Sequence, residues 1–385
     1  MQHAQRISAA GRTASSRIGV RASTPLAARS FVQSQSQAEA RRHVCSRAAA
    51  HEEAPTVVAA VQEDAPVEVP VAAAAAPVAA VVAEEHQEPS SSAKQLPVGD
   101  VWEIDFCSRP LVDERGKKVW ELLICDPERK FEYTEYFSNS KINSAELKKA
   151  ISRLLAMPGA TKPDRVRFFR GQMQTIITKA LVDLAIKPVP SRRCFTVMSW
   201  LEERLESVYK RDPRFNDKSL ALFSLDLGAP EALPDALRGE KWAFVQLPLS
   251  AVLNMLKGVK DGEMFGATFP LDTAGVADLS KDMLIPGVAV FSRRALPLAA
   301  WTNGLDIAAV KADVDRSSLI LETGINQRWS YGKWRPSPDS IEEAQNWEEC
   351  KIGVKGIHFL AVQSDPDSDE LNGLWLLQDR VPPAI

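Results

Sequence analysis

The sequence predicts an α/β protein of two domains lying behind a long non-globular segment. Three observations carry this. All nine Trp of the 385 residues fall between Trp102 and Trp375, so the part able to build a core starts near residue 99. Within that part, short runs of β-branched and aromatic residues alternate with stretches of helical period. A stretch at 211–240 gathers Pro213, Gly228, Pro230, Pro234 and Gly239. It divides a length close to the ~250–300-residue ceiling for one core.

The first domain, 99–212, opens with strands at 101–112 and 119–126, joined by a turn at Gly116, and a third at 131–137. Asn143 with Glu146 three residues on is a helix-start signature, and Leu147, Ile151, Leu154 and Leu155 then recur at helical spacing until Pro158. A strand at 164–169, a helix at 174–186, a short strand near 191–195 and a helix at 198–209 complete the unit. A three-strand meander followed by alternating helices and strands is the element order of the ribonuclease H-like fold. Beyond an interdomain segment at 213–240, the second α/β domain, 241–385, reads as strand 242–247, helix 249–258 and strand 286–291. A second meander follows at 306–313, 317–323 and 327–334, then a helix at 341–350 and a strand at 356–363. It is expected to be a related or permuted duplicate of the first.

The formal charge of −3 hides opposite blocks. Residues 1–50 carry eight Arg, no Lys and one acid, Glu39, for a net +7, and are rich in Ser and Ala. That is the composition of an organelle transit peptide. Residues 51–98 carry eight acids and one base, Lys94, for a net −7, with six Pro and no aromatic residue, which predicts a disordered acidic linker. The Ala/Val run at 71–83 is too short, and too interrupted by Pro77, to span a bilayer.

Several chemistries are excluded or weakened. Cys45, Cys107, Cys125, Cys194 and Cys350 show no CxxC, and only His358 lies in the folded part, so no multi-histidine metal site is available there. Phosphate-loop, dinucleotide and nucleophile-elbow motifs are missing. No cofactor, metal or catalytic residue is expected. His358, between Ile357 and Phe359, reads as a structural histidine, and Asp365, Asp367 and Asp369 as an acidic hairpin turn. The fold order alone suggests a nuclease. Asp105 sits where the first metal carboxylate belongs, but the later strand reads RVRFFRG and offers Arg where another carboxylate is needed. The alternative is a buried structural Asp beside Arg109.

Two features favour nucleic acid. Residues 162–193 hold a net +6, in which Arg165, Arg167 and Phe169 alternate onto one strand face and Arg170, Lys187, Arg192 and Arg193 add charge. Such a patch neutralises phosphates and stacks a base. The segment 328–336 packs three cations and three aromatics into nine residues: Trp329, Tyr331 and Lys333 share one face, Arg328 and Trp334 the other. Core packing of these rings and pairing of these cations is the competing account.

WEIDFCSRPLVDERGKKVWELLICD, RFFRGQM, KPVPSRRC with WLEERLESVY, LRGEKWAFVQLP and GLWLLQD together resemble the Tab family of chloroplast and cyanobacterial RNA-binding translation factors, over residues 99–380. The resemblance implies a stromal, non-enzymatic translation activator. It would bind the A/U-rich single-stranded 5′ leader of the photosystem I reaction-centre B-subunit messenger within a larger complex of translation factors. It also implies that Trp375, Leu376 and Leu377 match a family WLL signature associated with RNA binding; as bare residues they read as a strand core. A metal-dependent nuclease and a protein-only photosystem assembly scaffold are the alternatives.

Overall fold

The computed structural model describes residues 92–93, 95–220, 227–233, 237–367 and 370–385. The expected transit peptide, and all of the expected linker except 92–93 and 95–98, lie outside the described residues. The fold takes in that last piece: β1 (Ser92–Ala93) pairs with residues 133–134, and the Val98 carbonyl accepts the Trp102 indole N–H at 3.0 Å.

In the first domain, β2 (Val101–Val112), β3 (Lys118–Cys125) and β4 (Glu132–Phe137) form the expected antiparallel meander. Helix α1 (Ser144–Leu155) is capped by the Asn143 side chain, which accepts from the Glu146 N–H. Then come β5 (Arg165–Phe168), α2 (Gln174–Val182), β6 (Lys187–Pro190) and α3 (Phe195–Ser207). The sheet order is β1-β4-β3-β2-β5-β6, with β5 and β6 parallel to the central β2.

The last strand lies at 187–190 and not near 191–195. Lys-Pro-Val-Pro looks unsuited to a strand because proline lacks the N–H. At the sheet edge only one side of the strand needs donors, so two prolines are tolerated.

Alternation along β2 divides the domain. Trp102, Ile104 and Phe106 face a core built with α1 and α2, which includes Leu147, Ile151, Leu154 and Ile177. Burying each such Leu or Ile contributes about 1.5–3 kcal/mol. Glu103 and Asp105 face the other way, toward α3 and a second core holding Phe169, Cys194, Val197 and Tyr209.

The second domain contains β7 (Glu231–Ala232), β8 (Lys241–Pro248), α4 (Leu249–Lys260), β9 (Phe265–Ala267), β10 (Leu284–Phe291) and α5 (Ala295–Asn303). It continues with β11 (Ile307–Asp313), β12 (Ser318–Thr323), β13 (Gln327–Lys333), α6 (Pro338–Gly353), β14 (Ile357–Gln363) and β15 (Leu371–Gln378). The second meander is present, but β11-β12-β13-β7 is a sheet of its own beside β8-β10-β14-β15-β9. The strand order of the first domain is therefore not repeated. The acidic turn does join two antiparallel strands, β14 and β15.

Both ends of the divide are pinned. Phe215 bridges to Leu111 on β2, and the Arg214 carbonyl accepts from the Val112 N–H at 3.0 Å, so the start of the expected interdomain segment belongs to the first domain. At the far end, Arg380 donates to the Phe195 and Ala274 carbonyls (3.2 and 3.1 Å), and Ile385 enters the first domain's second core.

Candidate nucleic-acid interface

The basic island at 162–193 divides into exposed and buried members. Arg165 and Lys187 are exposed register partners where β5 and β6 begin, and Lys162 is exposed beside them. Arg167 is half-buried and reaches Asp306 of the second domain at 3.6 Å. Phe169 has 0% of its surface exposed and lies under the Arg170 guanidinium at 5.0 Å, so it presents no face to a base. Arg170 donates to Asp105 Oδ1 at 2.6 Å and to the Ile385 main-chain oxygen at 2.8 Å. Arg192 pairs with Glu322 at 2.6 Å, and Arg193 donates to the carbonyls of Ile307 and Leu376 at 3.1 and 3.2 Å. Arg170, Arg192 and Arg193 are buried. The face chosen by the strand alternation is open at Arg165 and becomes covered at Arg167, which meets the second domain, and at Phe169, which is buried in the first domain's second core.

The aromatic strand β13 is similarly divided. Arg328 lies 3.3 Å from Glu322 and 3.9 Å from Asp313. Glu322 therefore joins Arg192 and Arg328, one from each basic segment, and with Asp313 beside Arg328 the two cations face two acids inside the protein. Tyr331 is buried between the two sheets of the second domain. Trp329 is half-buried and donates to Thr323 Oγ1 at 3.0 Å; Trp334 is half-buried, edge-on to Trp242 at 5.9 Å; Lys333 and Arg335 are exposed.

Trp375, Leu376 and Leu377 are buried, at 2%, 0% and 0% exposure, on alternate faces of β15. Trp375 and Leu377 enter the core between the two sheets, and Leu376 enters the core against α4. No side chain of this signature reaches the surface.

Asp105 lies in an ion-pair network. Its oxygens accept from Arg170 and, at 2.7 Å, from Arg109. Arg109 also donates to Glu121 at 2.9 Å, which in turn accepts from Arg204 and the Tyr209 hydroxyl. Against the cost of burial, Arg170 and Arg109 hold the Asp105 carboxyl below its ordinary range. Both oxygens are occupied by guanidinium groups, so this carboxylate has the structural role and does not suit a metal pair. Among the described residues, no three His, Cys, Asp or Glu side chains converge as metal ligands.

His358 is fully buried, accepts the Val310 N–H at 2.9 Å, and is pushed down to about 3 by burial and by the Lys351 ammonium. Glu103 is pushed up to about 7 by burial, opposed by the Val197 N–H it accepts at 2.9 Å and by Arg167. It sits where the two domains meet, and nothing in its strand context VWEIDF signals that.

One set of exposed cations is added by the helices. The period that turns Leu147, Ile151 and Leu154 inward also turns Lys148, Lys149 and Arg153 outward, where they line a shallow groove with Lys179 of α2.

Two family models match the chain. The one described as RNA-binding protein Tab2/Atab2 N terminal covers residues 101–204, and the one described as RNA-binding protein Tab2/Atab2, C-terminal domain, covers 221–378. The Arabidopsis thaliana protein named "Protein TAB2 homolog, chloroplastic" is 47% identical over 307 residues, 78% of this chain and 82% of its own length. A Zea mays protein of the same name is 49% identical over 284 residues, 74% of this chain and 73% of its own. A solved simian T-cell lymphotropic virus intasome in complex with the PP2A regulatory subunit B56 gamma matches at TM-score 0.20 and 17% identity over 31% of this chain and 45% of that one.

Proposed function

We propose that this chain, which belongs to the family of RNA-binding Tab2/Atab2-like proteins, binds a single-stranded messenger leader in the chloroplast stroma and activates its translation without catalysis of its own. The observation that carries the reading is the match of both domains to RNA-binding family models, with relatives named as chloroplastic. The target is the A/U-rich 5′ leader of the photosystem I reaction-centre B-subunit messenger, bound together with other translation factors.

The first domain is a ribonuclease H-like unit used for binding. The strand order β4-β3-β2-β5-β6 supports this, and the Arg-filled surroundings of Asp105 favour binding over cleavage. Contacts to phosphates come from Arg165 and Lys187, which have no ion-pair partner among the described residues, and from Lys333 beside the half-buried rings of Trp329 and Trp334. Stacking on such rings is worth ~1–3 kcal/mol per base and tolerates any base, so the aromatics supply affinity and the surrounding shape must supply choice. Arg170, Arg192 and Arg193 support binding by holding the two domains in register, and Phe169, Tyr331 and the Trp375–Leu377 segment by filling the cores of their own domains.

The test is a titration of labelled leader RNA with the purified protein and with Arg165→Ala/Lys187→Ala. Salt-sensitive binding by the wild type, weakened in the double variant, is the expected result. Negligible affinity at physiological salt would instead favour an assembly scaffold. Mg2+- or Mn2+-dependent cleavage of the RNA would favour a nuclease.

A further inference from the structure

We infer that the groove between α1 and α2 is a second RNA-backbone site, which carries the phosphodiester strand around the first domain from the Arg165–Lys187 edge. This deepens the RNA-binding reading and rests on it.

The groove walls are the outer faces of the two helices. Lys148, Lys149 and Arg153 project from α1 and Lys179 from α2, and with Asp183 the lining sums to three positive charges, while Glu146 and Glu135 pair with Lys149 and Arg153 from beside it. Ser144 and Ser152 add hydroxyl donors along the same wall. A phosphate chain needs this chemistry: repeated point cations, hydroxyls, and no deep pocket.

The groove also joins the other contacts. Asp183, four residues before Lys187, sits 3.7 Å from Lys148. Helix α2 therefore ends on the side of the sheet where β6 begins, and the Lys187–Arg165 register pair begins β6 and β5 on that same side. The acids that touch the groove cations do not block it. Lys148 and Lys149 keep 40% and 64% of their side-chain surface in solvent and pair with the solvent-accessible acids Asp183 and Glu146, and ion pairs of this kind are weak enough to yield to a phosphate. Arg153 stays anchored to the buried Glu135 while 54% of its side chain remains in solvent. Lys179 has no ion-pair partner among the described residues.

The variant Lys148→Ala/Lys149→Ala/Lys179→Ala alters the exposed Lys149 and Lys179 and the half-buried Lys148, and leaves Arg165 and Lys187 in place. A control, Lys257→Ala/Lys260→Ala/Lys281→Ala, removes equal charge from exposed positions of the second domain. Binding of an A/U-rich single-stranded RNA oligonucleotide is followed by fluorescence anisotropy across a salt series, with near-UV circular dichroism reporting the fold of each variant.

Three phosphate contacts on a single strand set a slope change of about 2 in log K against log salt, and an affinity loss of ~10–100-fold at low salt, in the groove variant but not in the control. A groove variant that keeps the wild-type slope overturns the site while leaving the RNA reading intact. A wild type without salt-dependent RNA affinity overturns both. If the groove variant loses binding of labelled poly-glutamate but not of RNA, the groove belongs to an acidic protein partner and the RNA assignment is overturned.

Discussion

The guanidinium of Arg193 donates to the main-chain oxygen of Leu376 at 3.2 Å, although 183 residues separate them. It also holds the Ile307 carbonyl and lies over the rings of Phe195 and Phe269, at 5.9 and 5.8 Å. One buried cation of the first domain thus fixes two strands of the second. Burial and the neighbouring Arg167 bring Arg193 down only to about 10, so it stays charged at neutral pH. Removing it in Arg193→Ala leaves two buried carbonyls without this donor. The cost is about 2–4 kcal/mol, read as a lower urea midpoint. Arg193→Lys recovers part of this, because an ammonium reaches one carbonyl but lacks the planar fork.

The same link changes what the Trp375–Leu377 segment does. These side chains lie in the cores on both faces of β15, so Trp375→Ala is expected to cost about 3–5 kcal/mol through the cavity it leaves. RNA affinity should fall in step with the folded fraction and recover when an osmolyte restores the fold. A variant with intact near-UV circular dichroism but lost affinity would show direct contact instead.

Most of the element order was legible in the sequence, because it rests on local periodicity. Asn143 before Leu147 and Ile151 announces α1, and the alternation in 101–112 announces β2. The short edge strands β7 and β9 and the nearly all-apolar helix α5 were not legible: two or three residues carry no period, and ALPLAAWTN has no polar face. The candidate site was legible by composition only. Arg170, Arg192 and Arg328 belong to basic segments, yet their partners Asp105 and Glu322 lie 65, 130 and 6 residues away, and only the tertiary fold brings the first two pairs together.

Glu103 gives the fold a pH dependence of predictable sign. Its carboxyl rises from 4.5 to about 7 on folding, so between those values the folded chain holds more protons than the unfolded one and stability falls as pH rises. The span corresponds to roughly 3 kcal/mol. His358 acts in the opposite direction: lowered to about 3, it makes stability rise with pH between 3 and 6.5. Glu103→Gln keeps an acceptor for the Val197 N–H and removes the ionisation. Its urea midpoint at pH 8 should exceed that of the wild type, with a profile that rises from pH 4.5 to 6.5. Parallel profiles for the two proteins would contradict the assignment.

Asp105→Asn should behave as a broken buried ion network and not as a lost metal ligand. With Arg109 and Arg170 facing a neutral amide, stability drops by roughly 3 kcal/mol or more. Mg2+ and Mn2+ should leave the melting temperature of both proteins unchanged. A Mn2+-induced rise seen in the wild type and absent from Asp105→Asn would revive the nuclease reading.

Ultraviolet crosslinking of the full chain to leader RNA, with the crosslinked peptides identified by mass spectrometry, tests the interface most directly. The exposed cations and half-buried rings predict adducts in peptides spanning 148–153, 165–187 and 328–335. Adducts confined to 371–378, the buried strand, would contradict it.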